Sequence, residues 1–236
     1  MSATNSGQST FGDRQGQALS ASDEAGIGIH PAEALFYHEA GLKATWAVAR
    51  MAVGALSFLF GAFLFSYFYL RSINSHGMWH PRGAVLPQAW AGTLVMALVV
   101  ISAVTQTAAL ARIKAGHKVT WQAGARVALT LGLIAVGLMV YQLAALPFPA
   151  GASGFDSVYT AFTPIYLIIA FATMFWLRIL LVRAAAIPAE YLTEQPPSYA
   201  ETFTVQHFQA RLSAFTLLWN YLAVVAILFW VLFYLL

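Results

Sequence analysis

The residues able to do chemistry in this chain are few, and most sit away from its apolar stretches. Six histidines occur, at 30, 38, 76, 80, 117 and 207. His76 and His80 stand four apart, which suits a shared metal ion only on a helix, and Gly77 and Pro81 favour a loop there. His38 and Glu39 are adjacent, a spacing better suited to a solvated or inter-subunit contact than to a metal. Cysteine is absent, which removes thiolate nucleophiles and every cysteine-ligated metal centre. Of the acids, Asp156 lies at the mouth of an apolar run. The others lie in the N-terminal arm or between residues 190 and 201. Ionisable groups at membrane depth mark ion paths, proton relays and cofactor sites, so the chain is expected to bind no haem or copper itself and to carry no transport pathway of its own.

The elements that carry these residues are membrane spans. The chain has 236 residues, 60% of them hydrophobic and 9% charged. A soluble domain carries about 25% charged residues. Between Arg50 and Arg71 no residue is ionisable apart from the weakly acidic tyrosines Tyr67 and Tyr69. That stretch covers roughly 30 Å as a helix, the thickness of a hydrocarbon core. Glycine and alanine at Ala52, Gly54, Ala55, Gly61 and Ala62 would let another helix approach closely. The fold class is an all-α membrane protein, a bundle of five transmembrane helices. The spans are expected at about residues 44–71, 89–111, 122–146, 157–182 and 209–236, forming one unit over 41–236. Residues 1–40 read as a polar, flexible arm with an interfacial lead-in from Pro31 to Lys43. They lack the basic and apolar regions of a secretory signal.

Basic residues orient the bundle. Lys43, Arg50, Arg112, Lys114, Lys118, Arg126, Arg178, Arg183 and Arg211 flank one side, against Arg71 and Arg82 on the other. The bias places the N-terminus in the cytoplasm and the C-terminus outside. No clustered basic face suits a nucleic acid. Arg50, Arg178, Arg183 and Arg211 are candidates to hold lipid phosphates at the inner leaflet. Gln106, Gln142, Thr163 and Asn220 are neutral polar residues at depth. They are expected to hydrogen-bond across helices, at about 0.6 to 2 kcal/mol each. Gly124, Ala128 and Gly132 lie four apart on one face of the third span, a close-packing pattern. Pro164 should kink the fourth.

Several stretches together resemble subunit III of the haem-copper terminal oxidases, in the five-helix form common in bacteria. The aromatic run from Phe58 ends Tyr67-Phe68-Tyr69-Leu70-Arg71, like the family's Tyr-x-x-x-Arg. Trp79, Pro81, Gly83, Leu86 and Pro87, followed by Thr93, are similar to its Trp-Pro-Pro-Gly loop and following Leu-Pro and Asn-Thr. Ser102 to Thr105 stand where it has Ser-Ser-x-Thr, and Trp219-Asn220-Tyr221 resembles its final-helix motif. The departures are specific. Leu56 or a near neighbour replaces the family's glutamate, Thr163-Pro164-Ile165-Tyr166 replaces a two-histidine motif, and Asn220 and Ala223 replace a histidine and an aspartate.

The resemblance implies a non-catalytic subunit in a bacterial plasma membrane. Its partners would be oxidase subunits I and II, which carry the haem and copper, together with bound phospholipids. A subunit III-like companion of a nitric-oxide reductase is the alternative. An independent transporter fits poorly with spans that lack ionisable residues.

Overall fold

The computed structural model describes residues 31–74, 79, 87–148, 151–187 and 199–236. The chain is an all-α bundle of five helices: α1 (Pro31–Ile73), α2 (Ala89–Lys114), α3 (Lys118–Ala144), α4 (Gly154–Ala186) and α5 (Tyr199–Tyr234). All five are long and apolar enough to cross a membrane, so this is a multi-pass membrane protein. Among the described residues there is no strand. The proposed flexible arm over residues 1–30, the His76 and His80 pair, and the loop motif at Pro81, Gly83 and Leu86 lie outside the described residues.

The helices outrun the spans expected from hydropathy. α1 begins at Pro31 rather than near Ala44, so the interfacial lead-in is continuous helix. α2 and α4 continue to Lys114 and Ala186, and α3 and α5 begin at Lys118 and Tyr199. The physical reason is that propagation adds one hydrogen bond for each residue fixed. A nucleated helix therefore continues into polar sequence until something stops it. Conversely α3 stops at Ala144, short of the expected 146, just before Pro147.

Local chemistry sets the sharp turns. Gly116 has φ +80°, and its N–H bonds to Ile113 O while His117 N–H reaches back to Arg112 O. This closure ends α2 with a glycine in the left-handed region, and α3 starts at once, antiparallel to α2. At the start of α4, Ser153 Oγ accepts a hydrogen bond from Asp156 N at 3.1 Å, an N-terminal cap. α4 runs unbroken through Pro164.

The five helices close a ring in which α1 packs on α5, α5 on α2, α2 on α3, α3 on α4 and α4 on α1. α5 also touches α4 across the ring and is the most enclosed of the five. One end is basic, and the other is closed by aromatic rings. There Phe162 and Phe229 stack with centroids 3.8 Å apart, and Phe233 meets Phe155 and Tyr159 edge-on. Tyr67 donates to Leu232 O at 2.6 Å, tying α1 to α5, and Trp79 packs on both Tyr67 and Phe155.

Candidate functional site: the basic-end cleft and the interhelical polar contacts

Opposite the aromatic end, α1, α4 and α5 separate. The gap between them is a cleft of about 440 Å³. Ala44, Val48 and Ala52 of α1 form one wall, and Trp176 and Leu218 form the others. Arg183 of α4 and Arg211 of α5 stand at its polar end. The same two arginines also line a second hollow of about 600 Å³, with Thr204, His207 and Phe208. The two pockets, both mainly apolar in lining, are thus joined at two guanidinium groups. Both arginines are exposed, and among the described residues neither makes an ion pair.

The helical extensions meet beyond this cleft. His38 Nε2 lies 2.9 Å from Gln206 Oε1, and the His38 ring stands edge-on to His207 at 4.8 Å. Gly41 admits this packing, because a Cβ there would come within 2.9 Å of His207 Cε1. His38 thus makes an α1–α5 contact within the chain while remaining partly exposed.

Of the four arginines singled out as lipid-binding candidates, the fold brings Arg183 and Arg211 together. Arg50 and Arg178 do not line the cleft. At about 100° per residue, Arg178 sits roughly 140° around α4 from Arg183, and Arg50 lies roughly opposite the cleft-lining face of α1.

The polar residues at depth behave differently from one another. Gln142 Nε2 donates to Tyr234 Oη at 3.3 Å, and that hydroxyl lies 3.2 Å from Tyr159 Oη. Asn220 Nδ2 donates to Thr107 Oγ1 at 3.0 Å, and the two oxygens lie 3.1 Å apart. Thr163 bonds its own helix, at Tyr159 O, instead of crossing to a neighbour. Gln106 is fully buried, and among the described residues neither its amide nitrogen nor its amide oxygen has a partner. The expectation that all four would bridge helices thus fails at Thr163 and Gln106. Thr163 fails because its short hydroxyl reaches the carbonyl one turn back, and Gln106 because neighbouring side chains offer it no complementary atom.

Trp219 contributes through Ser102, a residue whose bridging role was not legible in the sequence. Trp219 Nε1 donates to Ser102 Oγ at 3.1 Å, and Ser102 Oγ donates to Ala128 O at 2.7 Å. This two-bond relay links α5, α2 and α3. The small-residue face of α3 serves two neighbours. A Cβ on Gly124 would come within 3.0 Å of the Ala109 Cβ on α2, whereas one on Gly132 would overlap the Met174 sulfur on α4. On α1, by contrast, Gly54 and Gly61 have open space before them, so the expected close helix approach is not made among the described residues.

No family model matches this sequence, and no curated protein matches it.

Proposed function

We propose that this chain is a non-catalytic, third-subunit-like member of a haem-copper terminal oxidase in a bacterial plasma membrane. It would brace the catalytic subunit and retain phospholipids while partner subunits I and II reduce dioxygen to water. The reading rests on the resemblance in the aromatic run to Arg71, the Trp79–Pro87 stretch and Trp219-Asn220-Tyr221. The observation that carries it furthest is the bare flank of α1. Only 11% of its most apolar window is buried, against 33% to 44% for the other four helices. Phe58 is 86% exposed, and the open Gly54 and Gly61 lie close by on the same helix. Such a flank suits the close approach of a neighbouring transmembrane helix.

The bundle interior supports a bracing role over a redox one. Its buried polar side chains are serines, threonines and glutamines, with Asp156 at the α4 N-terminus. Haem and copper sites are built around histidine or cysteine, with methionine or tyrosine as companions; among the described residues the interior holds Met139, Met174 and tyrosines but no histidine. The redox groups therefore belong, on this reading, to the partner chains. All nine basic flanking residues lie in the helix halves that share one end of the bundle, and the charge rule assigns that side to the cytoplasm.

The test is extraction of the full chain from its native membrane in mild detergent, followed by identification of what travels with it. A haem-bearing membrane partner is expected, with a dioxygen-reducing activity in the complex. Migration of the chain without any haem-bearing companion would overturn the proposal. A partner that reduces nitric oxide in place of dioxygen would replace it with the alternative.

A further inference from the structure

We infer that the His38–His207 contact is an acid-released latch between the N-terminal extension of α1 and the start of α5: it holds while at most one of the two rings carries an added proton, and it opens when both do. The inference goes beyond the oxidase reading and stands independently of it.

His207 is held between two parts of α1. The His38 ring meets it at 4.8 Å with the planes at 87°, and Gly41 leaves the room that its Cε1 needs. His38 Nε2 lies 2.9 Å from Gln206 Oε1. An amide oxygen only accepts, so Nε2 carries hydrogen and an added proton goes to Nδ1. One added proton is tolerated, because a charged ring set edge-to-face on a neutral one keeps a favourable contact. A second sets two like charges 4.8 Å apart. The surroundings add to that repulsion. On α1, Glu39 is taken up by Lys43 at 3.2 Å, and the pair brings no net charge. On α5, Arg211 lies one turn from His207. On α4, Arg183 lines the same hollow as His207, and Lys118 of α3 donates to Ile187 O on its wall. Among the described residues no carboxylate pairs with either arginine. A free imidazole titrates near 6.5, between the carboxylates and the lysines. The open form binds the second proton more readily than the closed one. The contact is therefore complete well above that pH and weakens as the pH falls through it. Opening frees the stretch from Pro31 to Lys43 from α5. A shared metal ion is another use of paired histidines, and among the described residues no third ligand joins these two.

The chain contains no cysteine, so spin labels can be placed without background. The experiment uses the full chain in mild detergent with EDTA, any co-purifying partners left in place. It carries F36C/T120C, two exposed positions on α1 and α3. Pulsed dipolar electron paramagnetic resonance reads the distance between the labels from about pH 7.5 down to about pH 5, across the imidazole range. A single narrow distance is expected at the upper end. A second, broader population should dominate at the lower end, with a midpoint between about pH 5.5 and 6.5. H207Q leaves one ionisable ring and should make the distribution independent of pH. E39Q removes the carboxylate adjacent to His38 and should keep the response. An unchanged distribution in the labelled parent would overturn the inference without recourse to either variant. So would a midpoint below about pH 5, which belongs to a carboxylate, a response that survives in H207Q, or one that is lost in E39Q. None of these outcomes depends on whether a haem-bearing partner travels with the chain, so the latch and the oxidase assignment stand or fall separately.

Discussion

The Ser102 relay offers the sharpest quantitative test of how this bundle is held together. Ser102 Oγ accepts from Trp219 Nε1 and donates to Ala128 O, and both side chains are fully buried. Replacing Ser102 by Ala deletes both bonds and adds no bulk. Interhelical hydrogen bonds in membranes average about 0.6 kcal/mol, so the two together set a floor near ~1.2 kcal/mol. The carbonyl of Ala128 keeps its place in the α3 ladder. The indole N–H of Trp219 does not have such a fallback, and a buried donor left unpaired costs about 1–3 kcal/mol. S102A should therefore destabilise the protein by about 1.5–3 kcal/mol. The assay is reversible unfolding of the full chain in mixed micelles, followed by circular dichroism, with W219F and the double variant completing a thermodynamic cycle. W219F removes the donor, so its combination with S102A should cost less than the sum of the two, by about 1 kcal/mol. A loss below about 0.3 kcal/mol in S102A, or strict additivity in the cycle, would refute the reasoning.

Other perturbations probe the remaining contacts. Q106L should be neutral or stabilising by up to about 2 kcal/mol, because it replaces an amide buried without partners by an apolar group of similar size; a clear destabilisation in the same unfolding assay would mean that Gln106 has a partner. N220L should cost about 1–2 kcal/mol through loss of the contact with Thr107. It should leave the turnover of an assembled complex nearly unchanged, and a large loss of turnover with assembly intact would give Asn220 a functional role. G132L should destabilise by about 3 kcal/mol or more, since even a Cβ overlaps the buried Met174 sulfur; unchanged thermal stability would place that α3 face wrongly.

The five spans were legible because charge is excluded from lipid, so gaps between ionisable residues betray them directly. Helix ends were less legible. Nothing in the polar sequence from Pro31 to Lys43 stops a helix, and the hydropathy that locates a span is silent on where the backbone ladder ends. Partner choice was hardest to read. Gln106 and Gln142 look alike as isolated glutamines in apolar helices, yet Gln142 bonds Tyr234 while Gln106 finds no partner among the described residues, because the outcome depends on which side chain faces it across a neighbouring helix. In the sequence Ser102 stands out only as part of a motif, because a small hydroxyl in a membrane helix more often bonds its own backbone. Thr93, Thr105 and Thr130 do so here. At the cleft, residue type pointed to four arginines. Angular position around each helix then retained Arg183 and Arg211 and turned Arg50 and Arg178 elsewhere.

The length of α1 has a mechanical consequence. Its 43 residues measure roughly 65 Å, about twice the hydrocarbon thickness, and the stretch from Pro31 to Lys43 accounts for about 20 Å at the basic end. There His38 leans on Gln206 and His207, so the rod is propped by the start of α5. A change of roughly 10° in tilt would swing its tip sideways by about 4 Å, within the range of tilts that membrane helices adopt. Any companion that presses on the greasy flank of this rod would thus move a lever whose far arm lies clear of the lipid.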